Sequence, residues 1–414
     1  AFAEKSNTNQ LDVLAGFAKP FADYQKAQMK MVKDLLPQIE EFSVGMNYDI
    51  TAGYTMDMAG KFAKGSELGN MFVNAKSVND SLYAVVPPQS DFFMLAGSVS
   101  DLSYDSKVTL KSVSETLVPA IQDEALRATA QSAIKDLLWV CDNAGEVVAF
   151  LDRDKNGKMA VVSKFKTSDN AQYETINKSL NATVASLLEK YVPGQKFFAY
   201  DQKAGRGFID YAAAFDFAEK KLGKGAPADP EMKAKVLLAV NAIVGSNYTY
   251  SVKNQGEWVV QLGKSPLSDY TEPAAFDGTA LAARIKEIMP KNSTAKPIAV
   301  VSVSLGSIIK HYGTAVLSAI GVKDEALATA FASLPDAPAG AITMVVWSEK
   351  GILRETVNVS AAECKGLITF LTALSARQSA QYEDAGDEDD GASDDEDDSD
   401  TNDVDSANAT PEAT

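Results

Sequence analysis

The chain has 414 residues, of which 46% are hydrophobic, and a formal net charge of −17. This length and apolar content are sufficient for one large globular domain or two ordinary ones. No run approaches the roughly 18 apolar residues of a membrane-spanning helix, so we expect no transmembrane segment.

The acidic charge is concentrated at the C-terminus, where residues 383–414 hold 15 Asp and Glu and no Lys or Arg. The remainder has 39 basic and 41 acidic side chains, which leaves no basic surplus for nucleic acid or an anionic membrane. Residues 381–414 contain almost no bulky apolar side chains, so we predict a disordered acidic tail. Such a tail serves as a repulsive brush or as a weak, salt-sensitive binder of divalent cations.

The first residues, Ala1-Phe2-Ala3, have the small-x-small pattern that a signal peptidase leaves at its cleavage site. We therefore expect an exported protein of the periplasm or cell envelope, with residues 1–19 as an N-terminal leader segment. Pro20 suits the first turn of a helix that extends to about Leu36.

Four segments each contain two runs of alternating apolar and polar residues around a polar turn, the pattern of half-buried β-hairpins. Their sequences are FSVGMNYD-ITAG-YTMDMAGKF, EVVAFL-DRDKNG-KMAVVSKF, NYTYSV-KNQG-EWVVQL and AITMVVW-SEKG-ILRETVNV. In the third hairpin we expect the face of Tyr248 and Tyr250 to be shared with Trp258. The turns recur about every 100 residues, which suggests an internal repeat.

Helical patterns flank most of these hairpins, and short apolar runs at 82–86, 196–200 and 297–304 read as further strands. The predicted fold is α+β, built from about four α-β-β-α-β units, with a mostly antiparallel, curved sheet and helices packed on it. We expect two halves of two units each, at 20–200 and 201–380. Ser360 and Glu363 have the spacing of a capping box at the start of the last helix.

Two sets of residues are candidate binding sites. Asp152, Asp154 and Asn156 resemble the start of a calcium loop, but Ser163 stands where its bidentate Glu is required, so a polar turn is the simpler interpretation. The second set consists of aromatic side chains on the hairpins, which form either sheet core or an apolar groove for a lipid-like ligand. The aromatic candidates are Tyr48, Tyr54, Tyr248, Tyr250 and Trp258.

The sequence offers little for catalysis. His311 is the only histidine, and the Walker A, G-x-G-x-x-G and G-x-S-x-G patterns are missing. We therefore expect no cofactor, and the sequence favours a protein that is not an enzyme. Cys141 and Cys364 allow one disulfide or two free thiols, and the sequence does not decide between them.

Residues 40–100 resemble a known group of proteins. The steps Gly65-Ser66-Glu67-Leu68 and Val85-Val86-Pro87, after an alternating hairpin, are similar to those of large exported proteins of unknown function from planctomycete and verrucomicrobial bacteria. The resemblance implies export to the cell envelope and carries no catalytic residues. Our functional hypothesis is a non-enzymatic envelope protein that binds a partner or acts as a scaffold. The alternative is a carrier of a lipid or another hydrophobic ligand, and a third interpretation is a hydrolase that uses scattered carboxylates.

Overall fold

The structure is a computed structural model that describes residues 2–222, 229–264, 267, 271 and 275–386. Most of the predicted acidic tail, from residue 387 onward, lies outside the described residues and remains a prediction. The last helix continues past the predicted boundary at 381 and ends at Gly386.

The described strands form one antiparallel sheet that is not closed, which confirms the α+β class. Its strand order is β1-β2-β12-β11-β10-β3-β4-β5-β9-β8-β7-β6. In chain order, the strands are β1 (Ile39–Asp49), β2 (Gly53–Phe62), β3 (Phe92–Ala96), β4 (Ala144–Arg153), β5 (Met159–Thr167), β6 (Phe198–Asp201), β7 (Arg206–Asp210), β8 (Asn247–Gln255), β9 (Trp258–Lys264), β10 (Pro297–Val303), β11 (Ile342–Glu349) and β12 (Ile352–Val359).

Helices precede, follow and connect the strands. They are α1 (Phe2–Leu35), α2 (Glu67–Asn74), α3 (Val99–Leu102), α4 (Tyr104–Thr116), α5 (Glu124–Asn143), α6 (Asn170–Tyr191), α7 (Tyr211–Leu222), α8 (Pro230–Val244), α9 (Thr279–Ile288), α10 (Leu305–Ile308), α11 (Thr314–Ala319), α12 (Glu325–Ala332) and α13 (Ala361–Gly386). A π-helical turn at Ile309–Gly313 joins α10 to α11. None of the helices in the described part of the chain is long and apolar enough to cross a membrane.

All four predicted hairpins form, as β1–β2, β4–β5, β8–β9 and β11–β12. In the first turn, Gly53 has φ +94°, and a Cβ atom there would lie 2.0 Å from the carbonyl oxygen of Val359. Only glycine fits that close approach. Asp49 Oδ1 accepts hydrogen bonds from the N–H groups of Thr51 and Ala52, at 2.7 and 2.9 Å, and so fixes the turn.

The third hairpin has a different register from the predicted one. Gln255 pairs with Trp258, so the turn is tighter than the KNQG loop, and Val252 lies opposite Gln261. Because side chains alternate between faces, a shift of one residue moves Trp258 to the face opposite Tyr250. The expectation of one shared face was therefore wrong.

Two further details of the prediction were wrong. The run at 82–86 is not a strand, because Asp80–Val85 forms a 3-10 helix that buries Leu82. The adjoining strand is β3 instead. Pro20 lies inside α1 rather than in its first turn, since the helix begins at Phe2.

The strand order is symmetric about the pairing of β10 with β3. Reading outward, β10-β11-β12-β2-β1 on one side corresponds to β3-β4-β5-β9-β8 on the other. Strands β1–β5 thus occupy the same relative places as β8–β12. The halves predicted at 20–200 and 201–380 therefore do not form separate sheets, because they contribute alternating groups of strands to one sheet. The β6–β7 hairpin extends the sheet beyond β8, and β1 has no corresponding neighbour among the described strands.

The main core lies on one face of the central strands. Leu95 and Val300, which are paired across β3 and β10, contact the layer formed by α9 and the 3-10 helix, including Leu82 and Ile285. A second cluster lies on the opposite face, where Tyr173 of α6 packs on β8 and β9. A third cluster joins α12 to α13.

Leu95 lies in the centre of the main core, and its side chain is 0% exposed. Truncating this side chain should therefore lower the stability of the fold. We expect Leu95→Ala to lower the free energy of unfolding by about 2 to 5 kcal/mol, because it removes buried apolar atoms and leaves a cavity. The matched control is Leu238→Ala in α8, where the side chain is 46% exposed and the expected change is within about 0.5 kcal/mol. Urea unfolding measures both values, and similar losses would contradict the placement of the core.

Candidate functional site

The calcium-loop candidates form a hairpin turn around a buried ion pair. Lys264 Nζ lies 2.5 Å from Asp154 Oδ2, and both side chains are inaccessible to solvent. Asp154 Oδ1 also accepts hydrogen bonds from the backbone N–H groups of Asn156 and Lys158, at 2.8 and 2.7 Å. Asp152 Oδ1 accepts the N–H of Arg153. Among the described residues, no group of three His, Cys, Asp or Glu side chains is arranged to hold a metal ion.

Two opposing effects act on the pKa of Asp154. Burial raises the pKa of its carboxyl, but the hydrogen bonds from Lys264, Lys158 and Asn156 outweigh that effect and leave the pKa below its usual value. The carboxylate is therefore ionised at neutral pH and is neutralised by an ammonium group of the chain itself. The Asp154 carboxylate therefore stabilises the turn and does not form a binding site for an external cation.

A second buried polar cluster joins residues far apart in the sequence. The Asp91 carboxylate, 2% exposed, accepts hydrogen bonds from Arg153 Nη2 at 2.8 and 2.9 Å and from Ser307 Oγ at 2.5 Å. His311 Nδ1 lies 2.8 Å from the carbonyl oxygen of Ser307 and accordingly carries a proton there. Since Ser307 donates its hydroxyl proton to Asp91, His311 is not placed to activate it as a nucleophile.

Glu363 is completely buried at the beginning of α13. Its N–H donates to Ser360 Oγ at 3.2 Å, which is half of the predicted capping box. The carboxylate does not turn back to Ser360, because Oε1 accepts the N–H of Gly306 in α10 at 2.8 Å. Burial raises the pKa of this carboxyl, and the hydrogen bonds from Gly306 and Leu305 only partly oppose that effect.

The five aromatic candidates lie in three separate places. Tyr48 and Tyr54 are cross-strand partners at the β1 end of the sheet. Tyr248 and Tyr250 lie on β8 near the other end, where burial raises the pKa of each to about 12. Trp258 lies on the opposite face, beneath the Lys166 ammonium at 4.6 Å.

These aromatic side chains therefore do not line one groove. Tyr250 donates a hydrogen bond to Asn181 Oδ1 of α6 and stacks near Tyr200, with ring centroids 6.4 Å apart. The Tyr250 ring packs closely on Gly207 of β7 and is not an open surface, since a Cβ atom on Gly207 would collide with the ring. Of the five aromatic candidates, only Tyr48, which is 67% exposed, presents a largely open surface.

The exposed candidate surface is β1 itself. All eleven residues of this strand are exposed. Alternate positions form an apolar row on one face of the strand, and we call this row the β1 face. It consists of Phe42, Val44, Met46 and Tyr48, with side chains between 49% and 71% exposed. Contiguous exposed apolar side chains on a folded domain commonly mark an interaction surface.

No protein-family model, curated protein or solved structure matches the chain. Cys141 and Cys364 are both free thiols in the structure.

The buried Asp154–Lys264 pair predicts a large loss of stability in Lys264→Met. This change leaves an unpaired buried carboxylate, so we expect a loss of about 3 to 5 kcal/mol at pH 7. The loss should become smaller near pH 4.5, because the pKa of the unpaired carboxyl rises and the group can take up a proton. Lys166→Met is the control, since Lys166 pairs at 2.9 Å with a partly exposed Glu146 and should cost less than about 1 kcal/mol. Equal losses in urea unfolding would contradict the burial of the pair.

The raised pKa of Glu363 predicts that the folded protein loses stability as the pH rises. The unfolded carboxyl ionises near pH 4.3, before the folded one, so the folded state loses stability as the pH rises from there to the folded pKa. We expect Glu363→Gln to raise the melting temperature at neutral pH and to flatten its change as the pH rises above about 4.3. Glu189→Gln, at an exposed position of α6, is the control and should leave the slope unchanged. A wild-type slope in the Glu363 variant would show that burial does not act on this carboxyl.

Proposed function

We propose that the protein is a non-enzymatic, exported scaffold of the cell envelope that assembles with a second copy of itself through the edge of β1. The observation that carries the proposal is the fully exposed eleven-residue edge strand with one apolar face. An edge strand presents unpaired backbone N–H and C=O groups that readily add another strand.

The composition of β1 suits pairing with itself. Its acidic residues, Glu40, Glu41 and Asp49, lie at the ends of the strand, and the centre from Phe42 to Tyr48 carries no charge. An antiparallel pair around a two-fold axis is self-complementary, because each strand offers the same groups to the other. With Val44 opposite its copy, the uncharged centres meet and no acidic residue lies directly opposite another.

Strand β8 shows how this chain covers the corresponding edge elsewhere. There, β7 pairs with β8 antiparallel from Arg206 opposite Ser251 to Asp210 opposite Asn247. The composition of residues 387–414 does not suit packing on the β1 face, because the segment is strongly acidic and Val404 is its only bulky apolar residue. A second copy supplies both a strand and a matching apolar row.

The expected association is weak and reversible. Stable protein interfaces bury at least about 1,200 Å², more than one strand edge provides, so we expect a dissociation constant in the micromolar range. Export, the repeated units and the acidic tail belong to the same proposal: an acidic tail would keep such assemblies soluble outside the cell. Fractionation of the source cells tests the export directly.

Sedimentation velocity over a concentration series tests the assembly. We expect wild type to dimerise and Met46→Lys to weaken the dimer at least tenfold, because two ammonium groups would enter the paired strands. Val184→Lys is the matched control at an exposed apolar position of α6, where the side chain is 46% exposed, and it should behave as wild type. A wild-type monomer at every concentration would contradict self-assembly. Co-sedimentation with phosphatidylcholine vesicles that Met46→Lys abolishes would instead support the carrier of a hydrophobic ligand.

A further inference from the structure

A cavity of about 130 Å³ lies between α9, the Asp80–Val85 helix and strands β3 and β10. Most of its wall is apolar and comes from the main core layer. The lining residues are Tyr83, Val86, Pro87, Phe93, Leu281 and Pro338, with hydroxyl groups from Ser90, Ser302 and Ser304. Gly278 makes the close approach of α9 possible, since a Cβ atom there would lie 2.6 Å from the backbone nitrogen of Ala84.

One positive charge, that of Arg284, lines this cavity. The guanidinium Nη2 donates to Thr343 Oγ1 at 3.0 Å and approaches Ser302 Oγ at 3.4 Å. Within the described ranges, no carboxylate lies within ion-pair distance of Arg284. Burial lowers the pKa of the guanidinium, which reflects the cost of holding a charge in this environment.

Two buried carboxylates of the described residues provide a contrast with the partly buried Arg284, because each has a cationic partner. Asp154 is paired with Lys264, and Asp91 is paired with Arg153. Arg284 instead contacts only two neutral hydroxyl groups, which already hydrogen-bond to each other at 2.9 Å. A guanidinium has further N–H donors in a planar fork that matches a carboxylate. A guanidinium at the wall of an apolar cavity, with no carboxylate of the described residues at ion-pair distance, is therefore a binding group for an anion.

We propose that this cavity binds a small organic acid, with its carboxylate on Arg284 and its apolar body against Phe93, Val86 and Leu281. The size fits one ring or a short acyl chain, since a dry cavity of about 150 Å³ accepts benzene. Hydroxyl groups of Ser302 and Ser304 provide further polar contacts for the carboxylate. The free acid and the carboxyl end of a longer chain share this chemistry. The inference is independent of the proposed assembly through β1.

Asp277 sets a limit on the charge of the ligand. Asp277 is exposed and also lines the cavity. Its Oδ1 accepts a hydrogen bond from the N–H of Thr279, at 3.0 Å, at the start of α9. A second negative group on a ligand would be repelled by this carboxylate, so the cavity favours monoanions. Asp277→Asn keeps a hydrogen-bond acceptor for Thr279 and should strengthen the binding of a monoanion.

The test uses ¹⁹F NMR titration of the full chain with 4-fluorobenzoate and with its neutral isostere, 4-fluorobenzamide. We expect the benzoate to bind at least tenfold more tightly than the amide, and Arg284→Met to lose at least tenfold in affinity for the benzoate. Lys286→Met, an exposed cation on the same helix, should bind as wild type. The melting temperature of Arg284→Met without ligand should be equal or higher, because an unpaired charge has been removed from a binding site.

Ala280→Leu provides a second variant that does not touch the charge. Ala280 lines the cavity from an exposed position of α9, and the larger side chain should fill the space and weaken both probes. Sodium octanoate, titrated in competition with 4-fluorobenzoate, distinguishes a site for longer acyl chains from one for single rings. Equal affinity for benzoate and benzamide, unchanged binding in both Arg284→Met and Ala280→Leu, or no binding of benzoate at millimolar concentration would each overturn the proposal.

Discussion

The pairing of β3 with β10 is the interaction on which the rest of the structure depends. Five residue pairs, from Ala96 opposite Ala299 to Phe92 opposite Val303, join the N-terminal and C-terminal parts of the chain at the centre of the sheet. One face of this ladder carries the buried Leu95 and Val300. The α9 layer, its cavity and the main core all rest on that face.

The two ends of the sheet differ although its strand order is symmetric about this centre. At one end, α6 and the β6–β7 hairpin cover β8, and the tyrosines of β8 are packed and hydrogen-bonded. At the other end, β1 has no further neighbour among the described strands, and its residues are all exposed. The two edge strands of the described sheet are thus unlike, because β6 has four residues and β1 has eleven, all of them exposed. This contrast within one molecule is the physical argument for a partner at β1.

The sequence alone was sufficient to locate the four hairpins, because side chains alternate along a half-buried strand and the turns need Gly, Asn or Asp. It was not sufficient for β3 and the 82–86 segment, since short apolar runs fit either a strand or a buried helical turn. The register error at Trp258 has a similar origin: the pattern shows that two strands alternate, but the turn decides which faces coincide.

Charged groups were harder to predict than strands because their partners are distant in the sequence. Asp91 and Ser307 are 216 positions apart. Glu363 matched a local capping pattern, yet its carboxylate contacts Gly306 in another helix. The cavity beside Arg284 forms only when α9 lies on the sheet, and its lining comes from residues far apart in the sequence. Periodicity carries information about local structure, and it carries none about which distant charges meet.

The interleaved strand order has a consequence for synthesis of the chain. Strand β2 pairs with β12, and Thr356 donates a hydrogen bond to Asp57 across 299 residues. The first hairpin made on the ribosome must therefore wait for the last one before its inner edge is covered. Contacts of such long range slow folding, and unpaired strand edges are prone to aggregation while they wait. A chaperone that shields the β1–β2 hairpin during this period would protect the nascent chain from aggregation.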